Sequence, residues 1–427
     1  MKKSIKKMIS MIAATIAVGS MLVGCGGSNS DSKSSSGDTT LTYTIWDKNQ
    51  EPGMRAVADA FEKKNPGIKV NIEVTAWDQY WTKLDAAASG GSLPDVFWMH
   101  PNQAARYASN SILMDLTDKI KGSSLVSLDK FPEDLVKVYE NDGKNYAIPK
   151  DVDTIGLWYN KKLFDEARVD YPNENWTWND LLAAAKKITN PEKGVYGFGA
   201  PLDLQQGFDN FIFQNGGEVL SADKTKSGLD TPAVKEAIQW YVDLSLKEKV
   251  SPNQQQFSEN SYTAFFESGK TAMALFGSWM LSEFGANEYV AQNCDVAVLP
   301  QGKQRATIFN GLGNAVSANT PHKEEAWKFV EFLGSEEANK IQAESGVAIP
   351  AYQGATDAWM KTQTKFNSKV YADMLAYAKI NPYSKETDKW QTAEKESLLK
   401  AFTGEVSVSD ACDEAAKKVN EILATEK

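Results

Sequence analysis

The side chains that most often do chemistry are scarce in this sequence. Only two histidines (His100 and His322) and three cysteines (Cys25, Cys294 and Cys412) stand among 427 residues, against twelve tryptophans. Zinc sites, Cys–His nucleophiles and disulfide frameworks therefore have little material. Lysine outnumbers arginine 42 to 4, so the planar forks that grip phosphates and carboxylates are few. A formal net charge of −10 argues against nucleic acid, which an acidic surface repels.

The enzyme-like motifs fail on inspection. Gly269-Lys270-Thr271 ends like a phosphate-binding loop, but Ala264 stands where the first glycine is required. Gly311-Leu312-Gly313 lacks the third glycine of a dinucleotide loop, because position 316 is valine. Asp47, Asn49 and Glu51 have calcium-loop spacing, but Pro52 replaces the turn glycine and Ala58 the bidentate acid. Neither histidine has metal-site context, and both read as satisfied polar residues. The expectation is no catalytic residue, no metal and no cofactor, although 56 acids leave a glycosidase-type carboxylate pair open.

The tryptophans point elsewhere. A sugar ring offers a face of C–H groups that suits an aromatic ring, and an edge of hydroxyls that suits Asp, Glu, Asn and Gln. Clusters combining both kinds occur at Trp46-Asp47-Lys48-Asn49-Gln50-Glu51 and Trp98-Met99-His100-Pro101-Asn102. Others are Asp151-Val152-Asp153, Gln205-Gln206-Gly207-Phe208, Gly277-Ser278-Trp279 and Asn310-Gly311. Trp158, Trp240 and Trp327 sit inside strand or helix patterns and read as packing. Trp77 and Trp81, four apart, read as one helix face.

Those clusters need elements to position them. Leu41–Trp46 reads as a strand and Met54–Lys64 as a helix stopped by Asn65-Pro66-Gly67, before a second strand at Ile68–Val74. That order predicts a parallel βαβ unit. A helix at Trp77–Ala87 and a short strand at Asp95–Met99 continue it. Later strands are expected at Ile155–Tyr159, Val195–Ala200, Ala272–Phe276, Val296–Leu299 and Asn314–Ser317. Thr231-Pro232 and Thr320-Pro321 each open a helix, and the pattern is nearly all helical from Asp357. The fold class is α/β, and the length predicts two lobes.

The start of the chain reads as an address. Four lysines precede an apolar stretch from Met8 to Val23, ending in Leu22-Val23-Gly24-Cys25. This resembles a bacterial lipobox, so residues 1–24 are expected as a lipoprotein signal peptide, Cys25 as the lipidated residue and 25–40 as a flexible tether. Removing residues 1–24 takes four lysines and no acid, moving the net charge from −10 to −14. Attachment to an anionic membrane must then come through Cys25. Cys294 and Cys412 could pair, with two buried free thiols the favoured reading.

Further segments carry a resemblance. FEKKNPGIKV (Phe61–Val70), the LPDVFWM segment with YASNSILMDLTD (Tyr107–Asp118), YAIPKDVDTIGLWYNKKLFDEARV (Tyr146–Val169), FQNGGE (Phe213–Glu218), FFESGKTAMALFGSW (Phe265–Trp279), and AWKFVEFL followed by SGVAIPA (Ser345–Ala351) occur in order. The chain resembles the extracellular solute-binding proteins (family 1) of carbohydrate ABC transporters, the class that includes maltose-binding protein.

The resemblance implies a two-lobed fold of the type II periplasmic-binding-protein kind, with a multi-segment hinge crossing near Lys150, Arg305 and Pro350. The N-terminal lobe would hold 41–150 and 306–350, and the C-terminal lobe 151–305 and 351–427. Trp98, Trp279 and Trp390 match family positions that stack on sugar. Asp153 matches an acid that binds hydroxyls, and Phe208 an aromatic platform neighboured by Gln206. Trp46, Asp47, Glu51, Asn102, Asn310 and Gly311 complete the expected ligand-binding set. The chain departs from the family where Gln206 replaces an acid and Asn102 a base, and in the length of the loop after Trp46.

The implied function is a monomeric, lipid-anchored receptor, not an enzyme. It would capture a mono- or oligosaccharide on the outer face of a cell membrane, in a Gram-positive bacterium, and pass it to the permease subunits of an ABC transporter. A secreted glycosidase or lyase, a surface adhesin, and a receptor for another small solute such as glycerol phosphate or a polyamine stay open.

Overall fold

The computed structural model describes residues 38–426. The expected signal peptide, Cys25 and most of the tether lie outside these residues. The first strand begins at Thr39, so the last two residues assigned to the tether are strand.

The chain opens by alternating strand and helix: β1 (Thr39–Ile45), α1 (Glu51–Lys64), β2 (Ile68–Val74), α2 (Trp77–Gly90), β3 (Val96–Met99) and α3 (Pro101–Ser109). β1 lies parallel to both β2 and β3, as the βαβ reading requires. Leu41, Tyr43 and Ile45 of β1 are fully buried at period two. α1 carries Pro52 in its first turn, Glu51 at its start and Lys63 and Lys64 at its end, each suited to the helix dipole. Its stripe of Met54, Val57, Ala58 and Phe61 faces the sheet.

The next two strands, β4 (Ala147–Pro149) and β5 (Asp151–Asn160), are separated by the single residue Lys150 and belong to different sheets. β5 is the spine of the second sheet. It pairs antiparallel with β6 (Met273–Gly277), β7 (Cys294–Ala297), β8 (Thr307–Asn310) and, from the far end of the chain, β10 (Ile349–Pro350). Between β8 and β10, β9 (Gly313–Val316) returns to the first sheet, whose order is β2-β1-β3-β9-β4. β11 (Ala378–Ile380) adds parallel to β8.

Helices between β5 and β8 include α4 (Asp209–Gln214) and α5 (Pro232–Leu246). After β9 come α6 (Lys323–Leu333) and α7 (Glu336–Ser345), and the chain closes with α8 (Thr387–Phe402) and α9 (Val408–Leu423). α6 covers the first sheet: Phe329 meets Tyr43 and Phe61 edge-on or tilted, at 5.2 and 5.0 Å between ring centroids.

Three expectations change. Val195–Ala200 makes isolated bridges, to Asn190, Thr271 and Ala274, and not a ladder; at its centre Gly197 packs closely on the backbone of Ala185. The second crossing falls at Gly311-Leu312, since Thr307–Asn310 is still paired to β5 and not yet in the first sheet. The helical run after Asp357 is interrupted by β11. Cys294 and Cys412 are both buried and free, and burial pushes each thiol up to about 12.

α4 and α8 face each other through two acids. Asp209 is 2% exposed and Glu394 is fully buried, and neither Glu394 oxygen has a hydrogen-bond partner. Burial pushes the Glu394 carboxyl up to about 8, opposed by Lys395; burial and then the Glu394 charge raise Asp209. A group that binds its proton more tightly when folded stabilises the fold below its unfolded pKa and loses that contribution as pH rises. The unfolding temperature should therefore fall between about pH 5 and about pH 8, and Glu394→Gln should flatten that fall while matching wild type near pH 5. Scanning calorimetry across pH checks this; parallel profiles for the two proteins would refute it.

Candidate functional site

A cavity of about 400 Å³ lies between the two sheets. Its first wall is built at the carboxyl ends of parallel strands, where α/β sheets place ligands. Trp46 follows β1, Asp47, Asn49 and Gln50 follow it into α1, Trp77 opens α2, and His100 follows β3. The opposite wall comes from Asp203, Gln205 and Gln206 in the turn before α4, and from Ser278, Trp279, Met280 and Glu283 after β6. Asp151, Val152, Asp153, Leu312 and Ala348 form the floor, where the chain crosses between sheets.

The floor is held by an ion pair. Lys150 Nζ lies 2.6 Å from Asp151 Oδ2, with the side chains 2% and 7% exposed. The ammonium also donates to Gln50 Oε1 at 2.8 Å and sits 4.4 Å from the centroid of the Trp98 ring. Asp151 Oδ1 accepts the Leu312 N–H at 2.8 Å. The Lys150 N–H donates to the Leu312 carbonyl at 2.7 Å, and the Lys150 carbonyl accepts the Ala351 N–H at 3.1 Å. All three crossings thus meet at Lys150. Gly311 is required here, because a Cβ would lie 2.1 Å from the Asp151 carbonyl oxygen.

A polar chain runs across the floor. His100 Nδ1 is 2.8 Å from Asn102 Oδ1, and its Nε2 is 3.1 Å from Asn310 Nδ2. Nδ1 also lies 3.3 Å from the Asn102 backbone nitrogen, as the cap of α3, so the two ring nitrogens are engaged by Asn102 and Asn310, their donor and acceptor roles following the tautomer. Burial holds His100 down to about 4, so the neutral form prevails near neutrality. Asn310 Nδ2 also lies 3.5 Å from Gln205 Oε1, and Gln205 Nε2 donates to Asp153 Oδ1 at 3.1 Å. Burial, and secondarily the Asp151 charge, raises the Asp153 carboxyl well above the usual range.

The second wall is also preorganised. Asp203 Oδ1 accepts the Gln206 N–H at 2.6 Å, and Gln206 Oε1 accepts the Gly277 N–H at 3.1 Å while its amide donates to Tyr262. Trp279 folds back over Gly277, where a Cβ would fall 2.0 Å from the indole.

Of the expected ligand-binding residues, the structure brings Trp46, Asp47, Asp153, Gln206 and Trp279 to the cavity. Asn102, Asn310 and Gly311 lie behind the lining: the amides hold His100, and the Gly311 carbonyl accepts from Tyr139 at 2.8 Å. Glu51 sits in the first turn of α1, outside the lining.

Three platforms need correction. Trp98 is fully buried and its Nε1 donates to Tyr43 at 2.6 Å, so it is a core residue beneath Trp46. Phe208 is fully buried against Tyr241 and Phe402. Trp390 is buried in α8 with its Nε1 donating to Ser384.

The sequence reading missed Trp77, Asp203, Met280 and Glu283, and gave His100 no role. His100 lies on the same face as Trp98, two residues on, and being just past the end of β3 it reaches the cleft instead of the core. Asp203 carries an N-cap signature before Gln206. No lysine or arginine lines the cavity, and among the described residues no group of three or more acids, histidines or cysteines could hold a metal.

The sequence profile of the family described as bacterial extracellular solute-binding protein matches residues 47–340. The galactooligosaccharide-binding protein of Bacillus subtilis is 26% identical, with 98% of this chain and 97% of that protein covered. A maltooligosaccharide ABC transporter solute-binding lipoprotein of Streptococcus pneumoniae is 24% identical, with 96% of each covered. An ABC substrate-binding protein of Listeria monocytogenes, solved in complex with cycloalternan, superposes with a TM-score of 0.85 at 28% identity, covering 91% of this chain and 99% of that one.

The floor pair makes its own prediction. Lys150→Met leaves a buried carboxylate without its cation and should cost about 3–5 kcal/mol. Adding Asp151→Asn, whose amide oxygen can still accept from Leu312, should restore a large part of that loss. Urea denaturation midpoints decide this; a double variant as unstable as the single one would show that the pair is not the source of the cost.

Proposed function

The chain belongs to the bacterial extracellular solute-binding protein family, and from that membership we propose a sugar-binding receptor that serves an ABC transporter. One observation carries the reading. The inter-sheet cleft presents three indole rings, Trp46, Trp77 and Trp279, together with carboxyl and amide groups, and no cation. That combination matches C–H faces and hydroxyl edges. It does not match a phosphate, for which the lining holds several carboxyls and neither lysine nor arginine, so the glycerol phosphate alternative is disfavoured.

The relatives' names span galactooligosaccharide, diacetylchitobiose and maltooligosaccharide, which supports a saccharide of more than one unit as the ligand. The proposed lobes follow the strands: 38–149 with 313–348, and 151–310 with 349–426. Their closure about the three crossings would trap the ligand, a hinge motion in which few residues change conformation. No chemistry on the sugar is proposed, since the relatives are binding proteins. Delivery to the permease subunits would follow release from the cleft, with the receptor acting as a monomer.

Lipidation at Cys25 belongs to the same proposal. The Streptococcus relative is named a lipoprotein, and no described helix is long and apolar enough to cross a membrane. An anchor on the outer face of a Gram-positive membrane would keep the receptor beside its permease. Cys25→Ser should then release the full-length protein from the membrane fraction into the medium; equal membrane retention of the variant would refute the anchor.

The cleft and the core make opposite predictions for two tryptophans. Trp279→Ala should weaken sugar binding by about 2–4 kcal/mol, the range of aromatic anchors, with little change in unfolding temperature. Trp98→Ala should cost about 3–5 kcal/mol of stability, because it empties a fully buried site and removes the indole bond to Tyr43. A thermal-shift screen against a sugar library identifies the ligand, and calorimetric titration with urea denaturation separates the two effects. An unchanged affinity in Trp279→Ala would sink the site assignment.

A further inference from the structure

Gln206 lines the cleft, yet both ends of its side-chain amide are held by the protein. Oε1 accepts the Gly277 N–H at 3.1 Å, and Nε2 donates to the Tyr262 hydroxyl. The backbone beneath is fixed as well, since the Gln206 N–H donates to Asp203 Oδ1 at 2.6 Å. One donor and one acceptor of this amide are therefore committed before any ligand arrives.

The two partners come from one place. Gly277 is the last residue of β6, and Phe276 just before it is fully buried. Tyr262 opens the short helix Tyr262–Glu267 and lies flat on Phe276, with centroids 5.1 Å apart and the planes 11° from parallel. Burial, and secondarily the Asp203 charge, raises the Tyr262 hydroxyl well above its ordinary range, so the phenol is neutral near pH 7. The end of β6 thus grips Gln206 twice, through the Gly277 backbone and through the ring stacked on Phe276. These bonds bridge 71 and 56 residues of chain, so no local sequence pattern announces them.

What the grip holds is the spacing of the second wall. The turn at 203–208 carries Gln205, which continues to Asp153 and Asn310 on the floor. On the other side the Trp279 indole rests on Gly277, where a Cβ would fall 2.0 Å from the ring. A shift of the Gly277 backbone therefore carries the indole with it, and Gln206 ties that backbone to the turn. Tyr262 does not itself line the cavity. An effect of its hydroxyl on binding has to pass through Gln206.

We propose that Tyr262 is a positioning residue for ligand capture: through the Gln206 amide it fixes the distance between the turn at 203–208 and the Gly277–Met280 segment, and so sets saccharide affinity without touching the ligand. This rests on the sugar-receptor reading above. Gln206 acts in it as a bolt between two pieces of wall, with Tyr262 as the anchor. Preorganising the wall in this way removes an ordering cost that binding would otherwise carry.

Three variants test it. Tyr262→Phe keeps the ring on Phe276 and removes the hydroxyl. Gln206→Leu keeps the bulk and removes the amide, and Gln206→Glu offers oxygens that can accept from both Gly277 and Tyr262. Hydrogen exchange read by mass spectrometry on peptides covering 273–281 reports the bolt without ligand. Exchange there should rise in Tyr262→Phe and Gln206→Leu, and Gln206→Glu should restore protection. Calorimetric titration with maltotriose, galactobiose and diacetylchitobiose reports binding. For the probe that binds, Tyr262→Phe should weaken affinity roughly three- to tenfold, the scale of one intramolecular hydrogen bond. Combining it with Gln206→Leu should weaken binding no further than Gln206→Leu alone. Exchange unchanged in Tyr262→Phe, affinity unchanged in Tyr262→Phe, or losses that add in the double variant each overturn the positioning role and leave the receptor reading standing. Binding of none of the three probes by the wild-type protein overturns the receptor reading, and the control of affinity with it, whatever the exchange shows.

Discussion

The architecture turns on a lysine and an aspartate placed side by side where the chain leaves one sheet for the other. Lys150 and Asp151 are buried together, and a buried pair is stable only when its remaining donors and acceptors are satisfied. Here Gln50, the face of Trp98 and the Leu312 N–H supply those partners. Each partner comes from a different part of the chain: the start of α1, the end of β3 and the second crossing. Satisfying the pair therefore registers the first sheet, the hinge and the cleft floor at once. The backbone bonds from Lys150 to Leu312 and Ala351 complete the junction. Only the segments that radiate from it are left to absorb a change of angle between lobes.

That junction determines what chemistry the cleft can offer. The Lys150 ammonium is spent on Asp151 and Gln50, and the lining presents carboxyls, amides and indoles. His100 does not replace it, since burial keeps its imidazole neutral and its two nitrogens are engaged by Asn102 and Asn310. The Asn310–Gln205–Asp153 continuation ties the end of β3 to the opposite wall. The site is thus polar without a net attraction for anions, and its specificity must come from hydrogen-bond geometry and ring stacking.

How much of this could be read in the sequence depends on the range of the determining contact. Local signals were sufficient for the βαβ start, for α1 with its proline and terminal charges, and for Trp46, Asp47 and Trp279, which follow strands directly. Matching positions to a family pattern was less reliable for Trp98, Phe208 and Trp390. Each is an aromatic residue in the right segment, but its partners (Tyr43, Tyr241 with Phe402, and Ser384) turn it into the core. The second crossing was misplaced because the short run Thr307–Asn310, although β-branched and aromatic, does not reveal its partner; its pairing to Thr154 and Asp153 is long-range. Trp77 was missed for the reverse reason, since a local spacing rule suggested packing where tertiary structure leaves the ring open.

The floor and the second wall carry acids at a cost. Asp153 and Asp203 line the cleft, and Asp209 lies one turn behind, and burial raises all three carboxyls. Asp203 is partly relieved by the Gln206 N–H and Asp153 by Gln205, but Asp209 faces the like charges of Glu394 on α8 and, secondarily, of Asp203. A hydroxyl donor arriving at Asp153 would stabilise its ionised form, so ligand binding there offsets part of the desolvation that the fold imposes. The acids of the cleft and those behind it thus differ in kind: the former can gain a partner from solvent, while the Asp209–Glu394 pair is closed to it and must keep a proton instead. Both sets converge on the turn at 203–208, which carries Gln205 and Gln206 to the site.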